Sequence, residues 1–535
     1  MVNSHVISRE FVAVTHRAGA FAACLFLCML GLNLSANAEE GAPALNPRAL
    51  MLHSVVNPPH GAHPSRLRRN VASAPEAVPA STSKELVLHH FVSPPHGAYP
   101  ANGVIRDLEG NLYGTTNGSY SDIGGGGSHD AGVVFKIDTS GCETELYTFK
   151  GAADGSSPNG LVRDSAGNLY GTAAGGGVSG AGVVFEIDMS GAETVLYSFT
   201  GGKDGGNPSS LVRDQKGNLY GTTTYGGASN YGVVFKIDTS GKETVLYAFK
   251  GGADGAYPNP SVDLDASGNL YGATNNGGNA VGEAGAGVVF KVDTSGHERV
   301  LYTFTGGKDG AQPNGVIRDG KGDLYGTASD GGTSGAGVVF KVDPRGHETV
   351  LHTFSGGDDG GSPYAGVILD SKGNLYGTTG FGGSADGGVV FKVDTAGHES
   401  VLHTFSRGSE GNEPDNACVI LDAAENLYGT TSFGGVGGAG TVYELDTRGM
   451  LKVLYGFPGI AQGQYPYNAG VLLGTDGRLY GTTFYGGDHG AGVLYQLDER
   501  GDERVLYTFE LLTDKGFGQP MAGVIRDSDG NFSVR

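Results

Sequence analysis

Five aspartates recur at one point of a repeated loop. The loop reads Gly-Gly-x-Asp-Gly-x-x-Pro in its commonest form and places Asp154, Asp204, Asp254, Asp309 and Asp359 in consecutive units. Carboxylates arrayed in this way offer oxygen ligands to Ca²⁺, a hard cation that takes about six to eight of them. The loops lack the multi-carboxylate spacing of an EF-hand. The plainer expectation is therefore an Asp-Gly turn before proline, with Ca²⁺ as the alternative. A second set is aromatic. Tyr225, Phe381, Phe433 and Tyr485 each stand five residues beyond the tyrosine of a recurring Leu-Tyr-Gly and just before Gly-Gly, where other units carry Gly118, Gly175, Asn276 and Asp330. Rings at such positions form a platform for a carbohydrate or a peptide.

Catalytic signals are sparse, and no residue is assigned a catalytic role. The sequence has no Gly-x-Ser-x-Gly elbow, His-Glu-x-x-His or phosphate loop. Glycoside chemistry needs a pair of carboxyl groups in single, non-repeated roles, and Glu283, Glu410 and Glu413 qualify by being unique. His297, His347 and His398 follow a turn glycine where other units carry Cys142, Ala192, Lys242, Met450 and Asp502. So permissive a position reads as a solvated turn. His129-Asp130 and Asp488-His489 occupy equivalent loops of the first and last complete units and would approach each other in a closed ring.

These residues are positioned by one unit written about eight times. The tyrosine of Leu-Tyr-Gly falls at Tyr113, Tyr170, Tyr220, Tyr271, Tyr325, Tyr376, Tyr428 and Tyr480, in steps of 57, 50, 51, 54, 51, 52 and 52 residues. A period near 50 signals a repeat architecture. Each unit contains four short apolar segments, in the first unit 103–106, 111–116, 133–137 and 143–149, bounded by Gly, Asp, Asn and Ser. Asp-x-x-Gly joins the first segment to the second and the third to the fourth, which is hairpin chemistry. Val133-Val134-Phe135 is apolar on both faces, as in blades stacked against neighbours on both sides.

The expected fold is all-β: a β-propeller of four-stranded antiparallel blades, eight complete units plus a split closing blade, hence eight or nine blades. A β-solenoid or stacked hairpins are the alternative. The split blade would combine the fourth-strand copy at 85–91 with first- and second-strand copies at 523–527 and 531–535. From the Leu-Tyr-Gly tyrosine to the third strand is 13 residues in six units, but 20 in the first and 17 in the fourth, so loops are elaborated at 117–131 and 275–286. If the first strand is innermost, the Asp-x-x-Gly turns share one end of the ring and the longer, Gly-rich loops share the other. The loop-rich end is the better place for a site.

The organisation outside the repeats is simple. Arg9 and Arg17 precede an apolar run at 18–34 and Ala36-Asn37-Ala38, so 1–38 reads as a signal peptide, with a retained anchor helix as the alternative. Residues 39–84 are a Pro/Ala/Ser-rich linker with a decayed partial repeat, and 85–535 are the propeller. The formal charge of −21 argues against nucleic acid as a partner. No membrane span is expected after signal cleavage. Cys142 and Cys418 lie about five repeats apart and are not expected to form a disulfide. The 97 glycines serve tight turns rather than disorder, since apolar strand-like runs recur throughout.

The string Asp-x-x-Gly-Asn-Leu-Tyr-Gly-Thr-Thr, then Gly-Gly, then Gly-Val-Val-Phe-Lys-Ile-Asp, resembles the GloVer (Gloeobacter–Verrucomicrobia type) tandem repeats of choice-of-anchor exported bacterial proteins. The resemblance spans about 450 residues and recurs in every unit. It implies an exported, propeller-like bacterial repeat protein and no particular activity. Members often carry a C-terminal anchoring module. No apolar tail or sorting motif precedes Arg535, so such anchoring is not expected here. The functional expectation is a monomeric, periplasmic or extracellular, non-enzymatic protein that binds a glycan, peptide or partner protein through its loop-rich face. The alternatives are a secreted polysaccharide hydrolase or lyase and a purely structural envelope protein.

Overall fold

The computed structural model describes residues 104–534, apart from 108, 110, 117–130, 139–142, 279–284, 415–418, 459–462, 467–469, 475–476, 484, 487–492, 499–502, 509–523 and 527–531. Residues 81–535 form one compact unit. Among the described residues there are strands and no helix, so none is long and apolar enough to cross a membrane.

The first unit shows how the sequence builds a blade. Its strands are β1 (Ile105–Arg106), β2 (Leu112–Thr116), β3 (Val133–Ile137) and β4 (Glu143–Thr148), paired antiparallel in chain order. The turn between β1 and β2 is held by Asp107, whose Oδ1 accepts from the amides of Glu109 (3.0 Å) and Asn111 (2.8 Å). Its Oδ2 accepts from Asn111 Nδ2 and from the Tyr113 hydroxyl, both at 2.9 Å. Asp-x-x-Gly-Asn-Leu-Tyr is thus a single hydrogen-bonded device, repeated at Asp164, Asp214, Asp265 and Asp370, and at Asp422 with Glu425 in place of the glycine. In blades 4 and 5 the first strand is broken into two short segments.

Eight such blades form a ring, an eight-bladed β-propeller. First strands of neighbouring blades lie beside one another at the hub, while fourth strands are half-exposed at the rim. Each third strand is buried on both faces. Val133, Phe135 and Ile137 face Leu472, Tyr480 and Leu494 of blade 8, whereas Val134 faces Leu161, Leu169 and Phe185 of blade 2. Among the described residues, an aromatic ring from the end of one fourth strand meets the ring of the next third strand edge-on at seven blade interfaces. Phe149–Phe185 and Phe199–Phe235, at 5.0 Å, are two of them.

The direct packing of blade 8 on blade 1 resolves eight against nine: no further blade stands between them. The closing copy is instead a separate hairpin, Val524–Arg526 with Phe532–Val534, whose second strand lies beside β1 and the first strand of blade 2. The copy at 85–91, like Cys142, Cys418 and the elaborated stretch 117–130, lies outside the described residues.

Among the described residues, one contact repeats across seven interfaces. The glycine before the third strand has φ near +90° to +107° and sits beneath the proline that opens the next blade: Gly132 under Pro158, Gly232 under Pro258, Gly440 under Pro466. The residue before that proline donates its amide to the preceding blade, as in Ser157 N to Ala131 O (2.8 Å) and Tyr465 N to Ala439 O (2.7 Å).

A Cβ at Gly232 would run into the Thr223 carbonyl oxygen and lie 2.8 Å from Pro258 Cδ, whereas one at Gly180 would meet nothing within 4 Å. Both glycines have positive φ. Chemical denaturation is expected to show Gly232→Ala costing about 3 kcal/mol and Gly180→Ala about 1 kcal/mol. Equal losses would show that backbone conformation alone, and not the blade contact, sets the cost.

Candidate functional site

The pre-proline residue gives the loop face its geometry. Ser157, Asn207, Tyr257, Gln312, Ser362, Glu413 and Tyr465 all hold φ between 51° and 56°. This is the left-handed region, which bulky residues rarely adopt. The interblade amide bond holds each residue there, against the extended preference of a residue that precedes proline. The position is the same in seven blades while the side chain differs in most, so each blade offers one variable group at a fixed place.

The four aromatics expected from sequence lie beside this position. The backbone of Tyr225 pairs with Gly206, Phe381 with Gly361, Phe433 with Asn412 and Tyr485 with Gln464. They do not form one array. The Tyr225 ring occupies the space that a Cβ at Gly206 would take. Phe381 and Tyr364, each 40% exposed, meet at 6.2 Å. Phe433, also 40% exposed, meets Tyr465 at 5.2 Å, and Tyr465 meets Tyr485 at 6.0 Å. The structure therefore gathers Phe433, Tyr465 and Tyr485 into a three-ring cluster across blades 7 and 8. Burial raises the Tyr485 hydroxyl, and the neighbouring Tyr465 adds to this. Tyr364 and Tyr465 were not singled out from sequence. They flank the loop proline, and the position next to that proline was the signal that could have found them.

The five aspartates are held by their own blades at the rim. Asp154 accepts from the Tyr147 hydroxyl and the Lys150 amide, both at 2.9 Å. Asp204 accepts from the Tyr197 hydroxyl (3.0 Å) and the Thr200 amide (2.8 Å). Asp254 and Asp309 repeat the tyrosine bond at 2.7 and 2.9 Å, while Asp359 takes His352 Nε2 at 3.3 Å. Burial alone would raise Asp204 and Asp309, but the threonine and tyrosine donors outweigh it and hold both below the usual carboxylate value. Among the described residues no three His, Cys, Asp or Glu side chains converge as metal ligands. The aspartates are separate contacts with much of their accepting capacity already used. Ca²⁺ would require about six to eight oxygens at one point.

Sequence reading missed the partner of each aspartate. Glu193, Glu243, Glu298, Glu348 and Glu399 open the fourth strand of the following blade, and each has a buried Oε1 with no hydrogen-bond partner. Burial, followed by the charge of Asp154, Asp204, Asp254, Asp309 and Asp359 respectively, pushes each glutamate up to about 7. Lys150 and Tyr147 partly oppose this at Glu193, as Lys250 and Tyr247 do at Glu298. The signal was present: the Glu of Gly-x-Glu-Thr-Val-Leu-Tyr recurs as regularly as the aspartate.

The remaining candidates divide. The Leu-Tyr-Gly tyrosines serve blade packing, with Tyr113 between Lys136 and Arg163, 5.8 and 5.5 Å from its ring centre. His297, His347 and His398 are exposed and bond to the turn aspartates Asp293, Asp343 and Asp394 at 3.3, 3.1 and 3.2 Å. Glu410 takes the place of the rim aspartate and contacts His403 (3.3 Å) and Ser406 (3.1 Å). Glu413 is half-buried at the pre-proline position and raised by burial, against the opposing charge of Arg407. Glu283, His129, Asp130, Asp488 and His489 lie outside the described residues.

The chain belongs to the Gloeobacter/Verrucomicrobia repeat family, whose pattern matches at residues 77–282, 119–335, 252–420 and 312–533. No curated protein matches it. Solved structures resemble the fold at low identity. A gluconolactonase from Xanthomonas campestris is 14% identical, with TM-score 0.30, over 63% of this chain and 95% of its own. Dipeptidyl peptidase 4 of Porphyromonas gingivalis is 10% identical, with TM-score 0.45, over 81% and 64%. The extracellular domain of a putative one-component system from B. thetaiotaomicron is 12% identical, with TM-score 0.38, over 82% and 50%.

The glutamates imply a pH dependence of stability. Their folded values lie above the ordinary 4.5, so their contribution is complete below 4.5 and is lost as pH rises through about 7. Aspartates held below 3.8, such as Asp214 and Asp370, act oppositely: their contribution is present above 3.8 and lost as pH falls through the lower folded value. Melting temperature followed by calorimetry is expected to peak between about pH 4 and 4.5 and to fall toward pH 8. Glu243→Gln should flatten the descent by about 1 kcal/mol after allowance for solvent screening. A descent unchanged in that variant would remove the carboxyl pair as its cause.

Proposed function

We propose that the protein is an exported, non-enzymatic propeller that holds a glycan or peptide, free or as part of a partner protein, on the loop face of blades 6 to 8. The observation that carries this reading is the Phe433–Tyr465–Tyr485 cluster, with Phe381 and Tyr364 one blade away. Edge-to-face rings leave ring faces and apolar edges for a ligand, and aromatic side chains supply large contact area at small entropic cost. The pre-proline positions vary around this cluster, which suits recognition of an asymmetric ligand. Export rests on the N-terminal basic, apolar and Ala-Asn-Ala sequence.

A second reading, a polysaccharide hydrolase or lyase, has one observation in its favour. Glu413 is the carboxyl group on this part of the loop face whose proton affinity is raised by burial, and the charge of Asp386 adds to the effect. A raised carboxyl group beside a ligand platform is suited to general acid work.

A glycan and peptide screen on the full chain, reading binding and product release together, separates the two. Binding without release is expected. Tyr465→Ala should weaken it about tenfold to a hundredfold, with Gly175→Ala as a loop-face control that leaves it unchanged. Release of shortened products, abolished by Glu413→Gln, would replace the binding reading with the enzymatic one. No binding to any member would overturn the assignment of the loop face.

A further inference from the structure

The opposite, turn-bearing face contains a basic cleft of about 320 Å³ between blades 4 and 5. Lys291 and Arg299 line it from blade 4, and Arg318 and Lys321 from blade 5. We propose that this cleft binds an oxyanion – sulfate, phosphate or carboxylate – borne on a ligand of about monosaccharide size.

The repeat shows how unusual this convergence is. The positions of Lys291, Arg299, Arg318 and Lys321 are filled at the preceding interface by Lys236, Thr244, Leu264 and Ser267. At the first interface they are Lys136, Thr144, Arg163 and Ala166, and at the second Glu186, Thr194, Arg213 and Lys216. The fifth has Lys341, Thr349, Leu369 and Lys372, and the sixth Lys392, Ser400, Leu421 and Ala424. The seventh has Glu444, Lys452, Leu473 and Asp476, and the closing interface Gln496, Arg504, Arg106 and Glu109. Elsewhere at most two cations occur together, in a chain whose formal charge is −21.

The local carboxylates offset part of this charge: Asp265 lines the cleft and is held ionised by its own turn, and with Asp263 it leaves the four cations in excess. Asp265 accepts from the amides of Ser267 (2.9 Å) and Asn269 (2.8 Å), from Asn269 Nδ2 (2.8 Å) and from the Tyr271 hydroxyl (3.1 Å). Asp263 pairs with Arg318 Nε at 2.9 Å and offsets one of the four cations. Asp319 closes its own turn through the amides of Lys321 (2.8 Å) and Asp323 (2.9 Å). Tyr271 forms an aromatic wall, with Lys291 Nζ and the Arg318 guanidinium 5.3 and 5.6 Å from its ring centre. Arg299 is anchored by one donor to the Arg345 carbonyl at 2.9 Å, which holds the guanidinium at the cleft while its other N–H groups remain to donate. Arg and Lys donors around one point are the chemistry that recognises oxyanions. The volume falls at the lower end of small-molecule sites, larger than a bare anion requires.

The test is calorimetric titration of the full chain at low ionic strength. The probes are inorganic sulfate, inorganic phosphate, glucose 6-sulfate, glucose 6-phosphate and glucuronate, with glucose as the neutral control. At least one anionic probe is expected to bind, weakening as NaCl is added. Arg299→Thr with Lys321→Ser installs residues that neighbouring blades already carry, so folding is preserved, and it should weaken binding by about tenfold or more. Tyr465→Ala on the other face should leave it unchanged, so this site and the loop face stand or fall separately. Tighter binding of a sugar-borne anion than of its bare counterpart assigns the group to a sugar, and equal affinity assigns a free oxyanion. No binding of any anionic probe at millimolar concentration, or equal binding by the double variant, overturns the proposal.

Discussion

The ring depends on one steric fit: a glycine lacking Cβ, at φ near +90°, beneath the proline of the next blade. At Gly232 any side chain would meet both the Thr223 carbonyl and Pro258. The proline offers no N–H, so its approach strands no donor. The preceding residue supplies the interblade bond instead, as Tyr257 does to the Tyr231 carbonyl at 3.0 Å. Blades 2 to 8 are therefore each placed by the preceding blade, and the third strand between them is covered on both faces.

The same fit determines where function can reside. It turns the pre-proline residue into the left-handed region and presents it beside the end of the second strand, where Phe433 and Tyr485 stand. Residues that recur in most units are consumed by the scaffold. The Asp107–Tyr113 and Tyr147–Asp154 hydrogen bonds account for groups that look chemically capable in the sequence. What remains for ligands are departures from the repeat: aromatics gathered on one side of the loop face, and four cations at one interface of the turn face. Both lie between blades, where a surface concavity arises without opening any sheet.

Much of the fold was legible because it rests on local patterns. Asp-x-x-Gly-Asn predicts a hairpin from its own donors and acceptors, and Val-Val-Phe predicts burial on both sides. The sites were less legible. The four aromatics were found by position, but not that Phe433 and Tyr485 share Tyr465 while Tyr225 covers a glycine. The five aspartates were found as a set, but not that each faces a glutamate across an interface, because those residues are about 40 apart and meet only when sheets stack. The extra strand copies suggested a split blade, yet Leu472 and Tyr480 pack directly on Val104 and Leu112 and close the ring at eight.

The sequence by itself determined the period, the four-stranded unit, the turn chemistry and the membership of a repeat family. Each depends on neighbours within one unit, where backbone hydrogen bonding and alternation of side chains decide the outcome. The tertiary structure alone decided the blade number, the carboxyl pairing and which rings and cations meet. Those follow from the twist and stacking of whole blades, and no single unit contains both sides of the contact.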